Sequence, residues 1–306
     1  YDRLSPQGGL VGRRVDTLAQ LATDGGDAGG LLMTTVNAWL QRVPPRSYFA
    51  NSSLVVRPGA LWHGGQGGPG ALTAFLAQHA YLRTDTVRET GEFAVRGGIF
   101  DVFPPGLDAP VRLDFFGDEV ETIRWFDAAT QRTTGRCDQL VLRPVAEFAI
   151  EPETIARFRT GYLAQFGATA SRDALYESVS DGRTHPGMEH WLPLFHDHME
   201  RVVDYCADWA VMLDHEADAA MTARWEQIED FYQARSSHGD DDSASLYRPL
   251  PVERLYLTRD EGSHVLAAGK VGRFYAFAPV DTAPLAGPLR FDAGGRPVPR
   301  LAGADS

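Results

Sequence analysis

The chain has 306 residues, a formal net charge of −12 at pH 7 and 43% hydrophobic residues. This length and apolar content are ample for buried cores and suggest two domains or more. The net acidity disfavours a general binder of phosphate backbones, but local arginine patches remain open, because Lys270 is the only lysine among 29 basic residues.

The cysteine content and the hydropathy pattern indicate a cytoplasmic location. Cys137 and Cys206 have no CxxC spacing, and two thiols in a chain of this length point to a reducing compartment. No apolar run approaches the roughly 20 residues needed to cross a bilayer, and no secretory signal is visible. The chain starts at Tyr1 without a methionine, so we treat it as a fragment.

The first 53 residues follow an α/β pattern. Apolar residues recur at helical spacing over 9–22, and a glycine-rich break follows. The run LLMTTV (31–36) predicts a compact strand, and Asn37 is a suitable N-cap for a helix over NAWLQRV. A strand that leads into a helix is typical of α/β domains.

Residues 54–145 have a different pattern. The segment LVVRPG predicts a strand that ends at a turn, WHGGQGGPG a loop and ALTAFLAQHAYL an amphipathic helix. Four short alternating strands follow, EFAVR, GIFDVF, VRLDFF and EVETIRWF, separated by glycine- and proline-containing turns. This is the pattern of a small α+β insert with an antiparallel sheet and one helix.

Helical patterns return after residue 145. The segment TIARFRTGYLAQFG predicts a helix, and Trp209–Leu213 predicts a buried strand. The residues after this strand predict a long helix that ends before a polar loop at 238–245. Beyond residue 259, VLAAGK and GRFYAFAPV could be short strands. The remainder is rich in proline, glycine and alanine and is typical of a linker.

The sequence VMLDHE is a weak candidate for a nucleotide site. An apolar strand that ends in acidic residues, here Asp214 and Glu216, can hold the magnesium ion of a nucleotide. The phosphate loop GxxxxGK[ST] is missing, because Val271 follows the only lysine. We therefore expect Asp214 and Glu216 to be structural or the relic of a lost site, and no ATP hydrolysis by this chain.

Other catalytic patterns are weaker still. A metal site could be drawn from His196, His198, His215 and Glu216, with His185 and His190 nearby. Solvated histidines are the commoner outcome of such a charged stretch, so we expect no metal. Neither cysteine has an evident basic partner, and no GxSxG context supports a serine nucleophile.

The strand VRLDFF raises the possibility of a binding surface. Its alternation places Val111, Leu113 and Phe115 on one face of the strand. Arg112, Asp114 and Phe116 lie on the other. Arg96 of EFAVR could join this second face, and Arg112 can pair with Asp114 or Asp118 there. Exposed aromatics beside arginines are typical of interfaces. Alternatively, Phe116 folds back into the core at Gly117, and the pattern leaves both open.

These residues resemble a known family. The string GEFAVRGGIFDVFPPG followed by VRLDFFGDEVETIRWFD is similar to the inserted domain shared by the repair protein UvrB and the transcription-repair coupling factor. YDRLSP, TTVNAWLQRVPP, PGMEHWLPLF and VMLDHEAD extend the resemblance, in order, over roughly residues 1–260. The short YDRLSP segment and the order Asp214-His215-Glu216 depart from UvrB and favour the coupling factor.

The resemblance implies an α/β fold, in which a partial RecA-like/UvrB-like domain carries a small inserted α+β domain with an antiparallel sheet. Residues 1–53 and 146–260 would form the first domain, 54–145 a UvrA-binding domain, and 261–306 a linker towards the polymerase-binding part. By motif alignment, the UvrA contacts fall on Arg96, Arg112 and Phe116. Asp214 and Glu216 fall on a degenerate Walker B position.

The function implied is a non-catalytic docking module without cofactors. Its parent would recruit UvrA to lesions where RNA polymerase has stalled, and would translocate on double-stranded DNA with ATP and magnesium. A UvrB-like ATPase and helicase is the alternative. Direct DNA contact by residues 54–126 is disfavoured, because six arginines there face nine acidic residues.

Overall fold

The structure, a computed structural model, describes residues 8–24, 30–59, 68–206, 209–236 and 247–275. Several predicted features lie outside these residues: the first six residues, most of the loop at 62–70, the polar loop at 238–245 and the linker from residue 276 onward. In the part that is described, no helix combines the length and apolarity needed to span a membrane.

The described elements are helices towards both ends and a run of consecutive strands in the middle. The helices are α1 (Gly8–Asp24), α2 (Val36–Trp39), α3 (Arg46–Asn51), α4 (Pro69–Gln78), α5 (Pro152–Phe166), α6 (Ala174–Ser180), α7 (Ala217–Ser236), α8 (Val252–Leu255) and α9 (Arg259–Ala268). The strands are β1 (Leu54–Val56), β2 (Leu82–Arg83), β3 (Glu92–Arg96), β4 (Ile99–Val102), β5 (Val111–Phe116), β6 (Glu119–Phe126), β7 (Thr133–Arg136), β8 (Leu140–Leu142), β9 (Val211–Leu213) and β10 (Val271–Arg273). The fold is thus mixed α/β.

A six-stranded sheet in the order β2-β3-β4-β5-β6-β7 dominates the middle of the chain. All neighbouring strands are antiparallel except β2 and β3. Helix α4 covers one face, where Leu72 and Leu76 pack with Phe100 and Leu113 in a fully buried core. Each such side chain contributes about 1.5–3 kcal/mol by leaving water. The predicted helix and the four predicted strands of this insert are confirmed.

Strands β1 and β8 bring the two ends of this region together. They form an antiparallel pair in which Leu54 lies opposite Leu142 and Val56 opposite Leu140. The side chains of Val56, Leu140 and Leu142 are buried in the same core as the central sheet. The region that contains the central sheet therefore begins and ends at two adjacent strands.

Among the further cores outside the central sheet, two involve helices that the sequence predicted. Helix α5, confirmed as predicted, packs Phe158 and Tyr162 against Trp191 and Phe195 in an aromatic cluster. Helix α1, also confirmed, buries Val15 and Leu18 with Phe49 of α3. Stacked and tilted rings at these separations add to the stabilisation from burial alone.

The predicted strand at 31–36 is wrong. Residues 30–35 form no regular element, and Leu31 and Met33 are 85% exposed. Without a partner ladder, an apolar extended segment is not a strand. The predicted helix over NAWLQRV is shorter than expected, because α2 ends at Trp39 and Thr35, not Asn37, accepts the capping hydrogen bond from the Ala38 amide.

The prediction of a buried strand at Trp209–Leu213 is only partly right. Strand β9 starts at Val211, and its Met212 is 50% exposed because β9 pairs with β10 alone among the described strands. This parallel pair lies outside the central sheet, and a RecA-like sheet stays a prediction.

The prediction of a strand at VLAAGK is wrong, because most of this segment belongs to helix α9. A capping box formed by Thr258 and Glu261 starts α9 and stabilises it. The expected division at residue 260 therefore falls inside a helix, and β10 forms from residues assigned to the linker. The remaining domain boundaries stay predictions.

Candidate protein-docking surface

Two tight hairpins lie at the same end of the central sheet. Arg96 pairs with Ile99 across a two-residue turn, and Phe116 pairs with Glu119 across another. Glycine stands at the first turn position in both cases, with φ of 62° at Gly97 and 61° at Gly117. Residues other than glycine adopt this left-handed region at a cost. The chain thus places Arg96 and Phe116 at equivalent positions, each the last residue of its strand.

The first turn is held against strand β5. The Phe115 amide donates a hydrogen bond of 2.8 Å to the Gly98 carbonyl. A Cβ at Gly98 would lie 2.9 Å from the carbonyl oxygen of Phe115, so only glycine permits this approach. The Phe115 ring packs inward, 5.2 Å from Phe100. Because the side chains of a strand alternate, fixing Phe115 inside directs its neighbour outward.

Phe116 is exposed to solvent. Its relative accessibility is 80%, the largest of any phenylalanine among the exposed hydrophobic residues described. The exposure of Phe116 predicted from the alternation is confirmed, and the alternative in which the ring folds back at Gly117 is wrong. A ring at the tip of a hairpin can enter a pocket on another protein with little rearrangement.

Arg96 is also exposed and lies on the same face. The register places Arg96, Ile99 and Asp114 side by side on β3, β4 and β5. Two strand spacings of ~4.8 Å separate the first and last, so Arg96 lies about 10 Å from β5. Its Nη2 donates to the Asp85 carbonyl at 2.6 Å, and both residues line an open groove together with Arg83, Thr84 and Val95.

Arg112 lies on this face but has a different environment. Its partner is neither Asp114 nor Asp118: its Nε and Nη2 donate to the two carboxylate oxygens of Asp101 at 2.6 and 2.8 Å. The guanidinium also lies 4.9 Å from the Phe126 ring centroid. The hydrogen bonds to Asp101 raise the pKa of Arg112. Arg112 is therefore largely sequestered, and only Arg96 and Phe116 of the predicted residues are freely exposed.

Arg112 is sequestered because other residues of the chain cover its part of this sheet face. Val87, Ala94 and Phe126 form a small buried cluster with Phe103 against it. The period of a strand identifies which side chains share a face, but not which part of the face another segment covers. The part of the face nearest the two turns stays in water, whereas this cluster covers the part near Arg112.

Ile99 belongs to the exposed part and was missed by the sequence reasoning. It is 40% exposed and lies between Arg96 and Asp114 in the register. The alternation in IFDV, with Phe100 and Val102 inside, already pointed to it. We call the exposed set Arg96, Ile99 and Phe116 the turn-end patch.

Asp214 and Glu216 lie far along the chain, after strand β9. Their side chains are 71% and 81% exposed. The Glu216 amide donates to Asp214 Oδ1 at 2.8 Å, and His215 Nδ1 lies 2.9 Å from the same oxygen. These contacts order the turn into helix α7, and the described residues place no lysine or arginine in contact with either carboxylate.

The histidines of the metal hypothesis are dispersed. His196 Nε2 donates to the Glu147 carbonyl at 2.7 Å, and burial lowers the pKa of this imidazole. His198 is solvent-facing near Glu200. Among the residues the structure describes, no three histidine, cysteine, aspartate or glutamate side chains are arranged to hold a metal ion. Both cysteines are free thiols.

Comparison with known proteins identifies the region that contains the turn-end patch. The family described as the UvrB interaction domain matches residues 60–148. The transcription-repair-coupling factor of Rickettsia conorii is 33% identical over 266 residues, which is 87% of this chain. That of Escherichia coli K12 is 36% identical over 195 residues, or 64% of this chain. This chain is a homologue of the transcription-repair-coupling factors.

The similarity covers only part of those relatives. The chain spans about a quarter of the Rickettsia conorii protein, 23% of its length, and 16% of the Escherichia coli protein. The UvrB interaction domain holds the whole central sheet, both glycine turns and the turn-end patch. Its predicted limits, 54–145, overlap closely with the matched residues.

Proposed function

We propose that this chain is a non-catalytic docking module that binds the repair ATPase UvrA through the turn-end patch. The observation that carries the proposal is the exposure of Phe116 beside the core-facing Phe115 on one strand. A large aromatic side chain in water costs free energy, and aromatic and arginine side chains are enriched at the energetic centres of interfaces.

The chemistry of the patch suits a pocket with an acidic rim. Phe116 would enter an apolar pocket, Ile99 would extend the apolar contact, and Arg96 would meet carboxylates. Truncating a central anchor commonly costs about 2 kcal/mol or more, which is roughly thirtyfold in affinity. Arg112 contributes mainly by holding the sheet beneath the patch, since Asp101 already occupies two of its donors.

The parent protein would connect stalled transcription to repair. Its homologues are transcription-repair-coupling factors, so we propose that it recognises RNA polymerase stalled at a lesion, displaces it by ATP-driven translocation on double-stranded DNA, and delivers UvrA. ATP, magnesium, RNA polymerase and DNA would be bound by other parts of the parent. A partial RecA-like domain around the UvrB interaction domain completes this proposal.

The test is binding of purified UvrA to this chain, immobilised, with and without Phe116→Ala. We expect the variant to lose binding roughly thirtyfold while its melting temperature is unchanged, because the ring packs on nothing inside. Phe274→Ala is the matched control, since Phe274 is also exposed but lies at the end of β10. Undiminished binding by Phe116→Ala would overturn the proposed site.

The alternative, a UvrB-like ATPase, is tested by ATP turnover. We expect no hydrolysis above background, and no change with Asp214→Asn, because the exposed Asp214 and Glu216 contact no lysine or arginine in the described part of the chain. Turnover that Asp214→Asn abolishes would support the ATPase.

A further inference from the structure

Three arginines form a row across the outer face of the central sheet. The register pairs Arg112 with Arg124 across β5 and β6, and Arg124 with Arg136 across β6 and β7. Side chains opposite each other in such pairs have Cβ atoms about 5 Å apart, and like charges at this spacing repel. A row of this kind needs counter-charges.

Two members of the row have counter-charges within the chain. Arg112 holds the buried Asp101, and Arg124 Nη2 donates to Asp114 Oδ2 at 2.6 Å. Arg136 differs from both. It is exposed, and its side chain forms no ion pair or hydrogen bond with any residue that the structure describes. The row therefore ends in one uncompensated guanidinium.

The position of Arg136 relates it to the turn-end patch. Strand β5, which carries Phe116, lies two strands from β3 with Arg96 and two strands from β7 with Arg136. Each lateral separation is about 10 Å, and Phe116 lies four residues, about 13 Å, beyond the row along β5. A footprint of about 800 Å² per partner is common for specific complexes and is wide enough to cover all three residues.

We propose that the docking surface extends to β7, and that Arg136 binds a carboxylate on an acidic surface of the docked protein. The proposal rests on the proposed function and adds the chemistry that one side of the partner must have. A carboxylate of the partner would pair with Arg136, as Asp101 and Asp114 of this chain pair with Arg112 and Arg124. Strand β7 is an edge of the sheet, so a partner can approach Arg136 from the side as well as from above.

Nucleic acid is a poorer occupant than an acidic protein. A duplex presents one negative charge per ~1.7 Å, and residues 54–145, which include β7, carry eleven acidic residues against nine arginines. Such a field repels a continuous backbone. A local acidic patch has to match only the uncompensated guanidinium at the end of the row.

The experiment measures affinity for UvrA, and separately for a 20-bp DNA duplex, of this chain and of Arg136→Glu. Arg132→Glu is the matched control, because Arg132 is exposed on the same edge, carries the same charge and lies before β7, outside the row. We expect Arg136→Glu to weaken UvrA binding about tenfold at low salt, and the difference to shrink as salt is raised. Arg132→Glu should bind within about twofold of the unmodified chain.

The outcomes separate the two proposals. If the unmodified chain binds UvrA, Phe116→Ala does not, and Arg136→Glu binds normally, the extension to β7 is wrong and the proposed function stands. Equal losses of affinity in Arg136→Glu and Arg132→Glu would also overturn the extension to β7, because they would reflect a general effect of charge. A loss of DNA binding alone would assign Arg136 to nucleic acid. No UvrA binding by the unmodified chain would overturn the proposed function itself.

Discussion

Asp101 and Arg112 face each other on neighbouring strands and are joined by two hydrogen bonds of 2.6 and 2.8 Å. The Asp101 side chain is only 2% exposed, so the guanidinium is the counter-charge of a buried carboxylate. Arg112 therefore stabilises the sheet whether or not a partner is bound. The same side chain would otherwise be taken for a simple binding residue.

Arg112→Ala should destabilise the chain. Removing the guanidinium leaves Asp101 buried and unpaired, which costs about 3 kcal/mol when a buried ion pair is broken from one side. We expect a clear fall in melting temperature by calorimetry, whereas Phe116→Ala should change the free energy of unfolding by less than about 0.5 kcal/mol.

A double variant distinguishes lost charge compensation from lost packing. Arg112→Met with Asp101→Asn removes both charges and should recover part of the lost stability, since no unpaired ion remains. If Arg112→Ala unfolds at the temperature of the unmodified chain, the ion pair contributes nothing measurable.

Gly98 should tolerate substitution less well than Gly97. A Cβ at Gly98 would meet the Phe115 carbonyl oxygen at 2.9 Å, a backbone atom that cannot move alone. Gly97 has open space but a φ of 62°, which costs an alanine about 1 kcal/mol. In urea unfolding, we expect Gly98→Ala to lose more stability than Gly97→Ala; the reverse order would show that the turn can shift away from β5.

Stability should fall as the pH drops below about 6.5, the usual pKa of histidine. Burial lowers the folded-state pKa of both His79 and His196. The unfolded chain then binds protons first, so the stability present above pH 6.5 is lost as the pH falls towards the folded-state values. Melting temperatures measured from pH 8 to pH 5 check this.

The matched variant for that series is His196→Gln. Glutamine can still donate a hydrogen bond to the Glu147 carbonyl, which His196 Nε2 contacts at 2.7 Å, but it does not titrate. We expect a shallower fall in melting temperature on acidification. An unchanged slope would mean that His196 is protonated as readily in the folded chain as in the unfolded one.

Helix α1 should fix the orientation of the UvrB interaction domain. Arg14 of α1 pairs with Glu147 at 2.5 Å, and Asp16 of α1 pairs with Arg143. Both partners belong to the segment that follows β8. The double variant Asp16→Asn with Glu147→Gln keeps the shapes and removes both ion pairs. We expect faster cleavage near residues 143–147 in limited proteolysis, with UvrA affinity retained.

A matched control for this prediction is Arg183→Ala, which removes a fully surface ion pair with Asp181. Exposed pairs of this kind contribute about 0–1 kcal/mol, so the cleavage pattern should not change. If the double variant is also cleaved like the unmodified chain, the remaining contacts of that segment hold it without the ion pairs. One of these is the hydrogen bond from Tyr48 to the Ala146 carbonyl.

The sequence determined the elements whose signals are local. The alternation of VRLDFF gave the buried and exposed faces of β5, including the exposed Phe116, and the helical spacing gave α1 and α5. The glycines between the strands located both turns. In each case the energetic preference lies within a few consecutive residues, so no distant contact is needed to decide it.

Only the tertiary structure decided what depends on residues distant along the chain. Segment 31–36 has the composition of a strand but pairs with no strand that the structure describes, and VLAAGK follows a capping box that makes most of it helical. Asp101 forms an ion pair with Arg112, and Asp114 forms one with Arg124, whereas Arg136 has no ion pair among the described residues. Ladder pairing and charge compensation are set by which strands become neighbours, and one strand's period cannot specify its neighbour.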